Sequence, residues 1–127
     1  MKRLTFITLM ATILAILVPA GADAKVKAEE RLIPMGDFKL TAYCSCEECS
    51  GDWGLLTSTG NHCEEGRTVA VDPDVIAYGT RILIDGKVYV AEDCGKHVQG
   101  DHIDIYLDDH ERVDAFGVKH RKVWLIK

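Results

Sequence analysis

The stretch Ile103-Asp104-Ile105-Tyr106-Leu107 decides the fold class, because its apolar residues recur at every second position. A period of two belongs to a strand, whose side chains point alternately to opposite faces. Ile103, Ile105 and Leu107 therefore share one face, and Asp104 and Tyr106 share the other. Asp is disfavoured in strands, so an aspartate inside this apolar pentamer asks for a reason beyond local propensity.

The flanking segments extend the same architecture. Downstream, Asp108 with Glu111 three places on has the form of a capping box, Val113 and Phe116 give an apolar stripe, and Gly117 is a stop, which predicts a helix. Lys119–Ile126 then predicts a closing strand, with Val123 and Leu125 opposite Trp124 and Ile126. Upstream, Asp85-Gly86 between the apolar runs 81–84 and 87–92 is the signature of a hairpin whose type I′ turn needs positive φ at both central residues. Thr68-Val69-Ala70-Val71 is a short strand halted by Asp72-Pro73, since proline offers no N–H to a ladder. Phe38, Leu40 and Ala42 alternate with Lys39, Thr41 and Tyr43, and residues 44–66 show no period and predict a long loop or lobe. Short strands with one or two helices point to a small, mainly β barrel rather than a βαβ sheet.

The organisation around this domain is simple. Lys2 and Arg3, an apolar stretch over 4–18 and Ala22-Asp23-Ala24 read as a secretory signal over 1–24, too short for a membrane span of about 20 residues. Residues 25–36, ending in Pro34 and Gly36, read as a linker, and 37–127 as one domain. The expected location is thus secreted or cell-envelope, with membrane contact only through the signal and a monomeric mature form. With 20 acidic against 15 basic residues and a formal net charge of −5, the chain lacks the basic face that a nucleic-acid partner requires.

Two groups of side chains carry chemistry. Asp72, Asp93 and Asp104 stand at or beside strand ends, and a carboxyl pressed against another carboxylate in a desolvated setting keeps its proton near neutral pH. Pattern alone leaves open that Asp104 faces solvent while Asp72 and Asp93 cap turns. The second group is Cys44-Ser45-Cys46-Glu47-Glu48-Cys49. With Cys63 or His62 it has the ligand types of a structural zinc site. Disulfides are the preferred reading for an exported chain, with Cys94 a partner for one of the earlier thiols. Five cysteines leave at least one unpaired.

Thr41-Ala42-Tyr43, Gly66-Arg67-Thr68-Val69-Ala70-Val71-Asp72-Pro73, Gly79-Thr80, Val90-Ala91-Glu92-Asp93 with Gly95, Gly100, and Ile103-Asp104-Ile105-Tyr106 together resemble the three-aspartate (3D) domain. That family includes small secreted peptidoglycan lytic transglycosylases and is similar in its barrel to membrane-bound lytic murein transglycosylase A. The resemblance covers about 37–127 and implies a six-stranded double-psi β-barrel in which the three aspartates converge. It assigns Asp104 the acid/base role, with Asp93 and Asp72 as supporting carboxylates and no cofactor required. It also implies a peptidoglycan glycan strand as partner, for which Thr41, Tyr43, Gly95, His97 and Tyr106 are the expected contacts; among the aromatic residues, Tyr106 and Trp53 are the ones read as sugar-stacking faces. One departure stands beside the cleft: where relatives usually continue Thr-Gly-Gly-Ala-Ile-Lys-Gly after the second aspartate, this chain has Cys94-Gly95-Lys96-His97-Val98-Gln99-Gly100. The same barrel would also suit a glycan-binding module that does not cut, or a glycoside hydrolase.

Overall fold

The computed structural model describes residues 26–127, so the signal read at 1–24 lies outside the described residues. Six strands, β1 (Leu32–Tyr43), β2 (Thr68–Ala70), β3 (Arg81–Ile84), β4 (Lys87–Asp93), β5 (His102–Tyr106) and β6 (Lys119–Ile126), occur with two short helices, α1 (Glu47–Ser50) and α2 (His110–Phe116). The strands close on themselves in the order β1-β5-β2-β4-β3-β6. The mainly β fold expected from the alternating segments is therefore present. Among the described residues no helix is long and apolar enough to cross a membrane.

The alternation explains the core. Phe38 and Leu40 of β1, Val69 of β2, Ile82 and Ile84 of β3, and Ile103 and Ile105 of β5 point inward and form one buried cluster. The β3–β4 connection is the type I′ turn that the sequence predicts, with φ of 49° at Asp85 and 74° at Gly86.

Three boundaries differ from the sequence reading, each for a local reason. β1 begins at Leu32, inside the stretch read as a linker, because Leu32 and Ile33 pair with Ile126 and Leu125 of β6. A register shift between Pro34 and Gly36 absorbs the missing proline donor. The cap of α2 is Asp109 rather than Asp108: its side chain accepts from Glu111 N at 2.9 Å, while Asp108 N donates to Glu65 Oε1. Finally, 44–66 is not a bare loop. It holds α1, a 3-10 turn at Gly51–Trp53 and an isolated bridge between Leu56 and His62.

Two pairings place the functional side chains. β1 and β5 run parallel with Thr41 opposite Asp104 and Tyr43 opposite Tyr106. β2 lies between β5 and β4, and its Ala70 is registered with Asp104 on one neighbour and Asp93 on the other. Each strand spacing is about 4.8 Å, so the two aspartate backbones stand roughly 10 Å apart across Ala70.

Phe38 is fully buried at the centre of the core cluster. Replacing it with alanine removes the ring and leaves a cavity, so urea unfolding of Phe38→Ala should show a loss of about 3–5 kcal/mol. Val118→Ala, at a 61% exposed position, should change stability by less than about 0.5 kcal/mol.

A carboxylate groove and a thiol cluster as the candidate functional site

A groove of about 340 Å³ opens over Ala70, with Asp93 and Asp104 in its lining beside Tyr43 and Trp53. Ala70 matters because its methyl group is small: a larger side chain between the two aspartates would fill the space. Trp53 is 67% exposed and presents an apolar face to the groove. Gly95 also lines it, and a Cβ there would stand 3.0 Å from Val98 Cγ2, so a side chain at this turn would press on Val98.

The two aspartates differ in how they are held. Asp93 accepts from Tyr43 Oη at 2.8 Å, Ser58 Oγ at 2.8 Å, Ser58 N at 3.0 Å and Cys94 N at 2.9 Å. Both of its oxygens are thereby committed to the scaffold. Burial, reinforced by the Asp93 charge, raises the Tyr43 phenol, so it stays a donor. Asp104 has one protein contact, Oδ1 with Thr41 Oγ1 at 2.9 Å. No fully buried side-chain oxygen among the described residues lacks a partner, so the unpaired Oδ2 is reached by solvent. Burial raises the Asp104 carboxyl from an ordinary 3.8 to about 6, with Asp93 adding to the rise and Thr41 opposing it.

Thr41 extends this contact to a third group. Its Oγ1 is also 2.7 Å from His102 Nε2, and His102 Nδ1 lies 3.0 Å from the His97 carbonyl, which can only accept. Burial lowers His102 below its usual value. In the neutral ring Nδ1 carries the hydrogen and Nε2 accepts. Thr41 has one hydrogen and cannot serve Nε2 and Asp104 together. Either Asp104 is protonated and the chain runs from Asp104 through Thr41 to His102, or His102 is the cation and it runs the other way.

The remaining sequence candidates fall elsewhere. Asp72 does not join the other two aspartates: its Oδ1 accepts from Asp74 N and its Oδ2 from Gly100 N, so it caps a turn and anchors the following loop. Tyr106 is only 1% exposed and sits edge-on to Tyr43 at 5.5 Å with an interplanar angle of 74°, so it packs instead of offering a stacking face. His97 is exposed and contributes its carbonyl to His102. Thr41 reaches the site through Asp104. Ser58 was not singled out from the sequence. It lies in an aperiodic segment, where no pattern marks one serine from another.

The cysteines form a different cluster from the one expected. Ligand atoms of Cys44, Cys46, Cys49 and His110 all lie within 4.8 Å of one another. Cys63 is apart, 3.8 Å from Tyr43 Oη. All five thiols are unpaired, and Cys94 lies 3.1 Å from Ser58 Oγ rather than bonded to another cysteine. His110 is the missed residue. It starts α2, 61 residues beyond Cys49, and only the β1–β5 pairing brings it close.

A closed barrel whose groove carries a proton-retaining carboxyl beside a scaffold-held one defines the class of site. Residues 67–127 match the model of the 3D domain family, the family that the motifs resemble. The putative cell wall shaping protein YabE of Bacillus subtilis (strain 168) is 32% identical over 114 residues, covering 86% of this chain and 28% of that protein. Crystal structures of the lytic transglycosylase MltA from Escherichia coli share the fold. One superimposes with a TM-score of 0.52 at 24% identity, and the form with bound chitohexaose with 0.52 at 21%, each covering 57% of this chain and 27% of that one. The chain thus spans just over a quarter of the length of each of these relatives.

The raised Asp104 carboxyl has a measurable consequence for stability. A carboxyl whose folded value lies above its unfolded one binds more protons when folded, so wild type loses stability as pH rises from about 4 to 6. Asp104→Asn lacks this group. Relative to wild type it should be unchanged near pH 4 and more stable above pH 6, by up to about 3 kcal/mol, in denaturant titrations at the two pH values. Equal effects at both would contradict the raised carboxyl.

Proposed function

We propose that this chain is an exported lytic transglycosylase that cleaves the bond between N-acetylmuramic acid and N-acetylglucosamine in peptidoglycan, with Asp104 as its acid/base catalyst. The observation that carries this reading is a half-buried carboxyl near pKa 6 whose free oxygen opens on a groove beside an exposed tryptophan. The 3D domain, the MltA-like fold and the cell wall role in the name of the Bacillus subtilis relative support it. The parallel pairs β1·β5 and β2·β4 within the closed ring support the double-psi form of the barrel.

Protonated Asp104 gives its hydrogen to the glycosidic oxygen as the bond to the muramic C1 breaks. The resulting carboxylate then removes the proton of the muramic C6 hydroxyl, whose oxygen bonds to C1 and closes a 1,6-anhydro ring. No water is consumed and Asp104 ends as it began. Because the nucleophile belongs to the sugar, one carboxyl suffices, unlike the paired acids of ordinary glycosidases, and the step requires no cofactor. Asp93, fixed by its donors, keeps the local field negative as charge develops on the sugar. Thr41 and His102 hold the Asp104 carboxyl so that its free oxygen faces the groove, and of the two aromatics Trp53 is the stacking face. The enzyme acts as a monomer outside the cytoplasm.

A second reading, a module that grips glycan without cutting it, is favoured by two observations. Asp72 is absent from the groove lining, and Cys94 and Lys96, from the stretch that departs from the family pattern in the sequence, line it.

Digestion of purified peptidoglycan followed by mass analysis of released muropeptides separates the readings. Anhydro products should appear, and Asp104→Ala should reduce them by about 100-fold or more. Products heavier by one water would indicate a hydrolase, and bound but intact glycan would indicate the gripping module. Since the protonated form acts first, the rate should fall as pH rises above about 6. Asp93→Asn removes a like charge that raises Asp104, so this fall should move to lower pH.

A further inference from the structure

The segment that carries Trp53 has little of its own to hold it. α1 is four residues long with no side-chain cap and no buried residue, and the 3-10 turn at Gly51–Trp53 likewise buries nothing. Isolated helices shorter than about 12 residues are marginal in water. Some other interaction must fix this wall of the groove.

The thiol cluster stands at that place. His110 Nδ1 lies 3.5 Å from Cys44 Sγ, 3.3 Å from Cys46 Sγ and 3.5 Å from Cys49 Sγ. A tetrahedral zinc ion with bonds of about 2.3 Å to sulfur and about 2.0–2.1 Å to nitrogen requires S···N edges of about 3.5 Å. The three measured edges agree with that geometry. The other ring nitrogen, Nε2, lies 3.4 Å from Glu48 Oε2 and 3.7 Å from Asp114 Oδ2. Ligating histidines characteristically direct their second N–H to a carboxylate, which fixes the tautomer that leaves the first nitrogen free to bind metal. Disulfides would give this histidine no task, because its nitrogen faces all three sulfurs nearly equally, and three thiols cannot all pair among themselves.

We propose that Cys44, Cys46, Cys49 and His110 form a structural zinc site that fastens the Trp53 wall of the groove to the barrel. Cys44 directly follows β1 and His110 opens α2 just beyond β5, so two ligands belong to the barrel side. Cys46 stands at the N-cap position of α1 and Cys49 lies within it, and Cys49 and Ser50 line the groove. Ser50 strengthens the turn, its Oγ donating to the Cys44 carbonyl at 2.6 Å and its N to the Cys46 carbonyl at 2.9 Å. Four protein ligands close the coordination sphere, so the ion holds structure and leaves no position for a substrate oxygen. The proposal is independent of whether the groove cuts glycan.

The full chain, purified without chelator, should carry one zinc per molecule by elemental analysis and native mass, with an X-ray absorption spectrum of three sulfurs and one nitrogen. His110→Ala and Cys46→Ser should lose the metal, His110→Cys should keep it, and Cys63→Ser and Cys94→Ser should keep it fully. Cobalt(II) in place of zinc should give the visible bands of a tetrahedral thiolate centre. Metal removal should speed amide exchange across 45–54 and leave the strands of the barrel protected. Failure of the reduced chain to bind zinc, loss of zinc in Cys63→Ser, or full retention in His110→Ala would overturn the site. Unchanged exchange across 45–54 after metal removal would overturn its bracing role.

Discussion

The parallel ladder between β1 and β5 is the constraint on which both sites depend. Parallel pairing joins segments far apart in sequence, here residues near 41 with residues near 104. Thr41 is set beside Asp104 and Tyr43 beside Tyr106, and past the end of the ladder the chain delivers Cys44 on one strand and His110 on the other. A slip of one residue would turn every one of these side chains to the opposite face. The buried alternation of Phe38 and Leu40 against Ile103 and Ile105 forbids that slip. Core packing and site assembly are therefore the same specification.

Desolvation then separates the roles of two aspartates that look alike in sequence. Both stand beside Ala70, yet Asp93 collects donors from Tyr43, Ser58 and Cys94 while Asp104 has only Thr41. A carboxylate surrounded by fixed donors has had its hydration replaced by the protein, whereas one with a single contact is left with the cost of burial. The strand environment that makes aspartate unwelcome at position 104 is thus the source of its retained proton. The Thr41–His102 extension adds a second restraint, since one hydroxyl hydrogen cannot satisfy a carboxylate and a neutral imidazole together.

The sequence revealed what depends on short-range pattern and concealed what depends on long-range register. Local pattern located all six strands, β1 from Phe38 onward, and the Asp85-Gly86 turn, because side-chain direction and positive φ are local properties. It also marked Asp104 as out of place. The fate of Asp72 was not legible: an aspartate before proline suits a turn cap or a cleft equally, and the contact with Gly100 that decides it comes from a loop 28 residues on. Tyr106 misled for a related reason. Alternation correctly put it on the outer face with Asp104, but that face is covered by the 44–66 segment, with Ser45 and Cys63 near its hydroxyl. Strand periodicity tells which side a residue faces and nothing about what is laid over it.

His110 shows the same limit at the thiol cluster. Spacing within 44–49 exposes three ligands and points to Cys63 or His62, the nearest candidates in sequence, as the fourth. Proximity in a closed barrel follows the ladder instead: three residues separate Asp104 from Leu107 on β5 and its exit, and three separate Thr41 from Cys44 on the partner strand. The helix that begins at His110 is therefore fixed to the same corner as Cys44. Its nitrogen meets the thiols, while its other face presents Arg112 to Glu65 of the lobe. The lobe is held to the barrel at both of these contacts, and the groove between Trp53 and Asp104 keeps its width because the corner that carries its outer wall is tied to the strand that carries its acid.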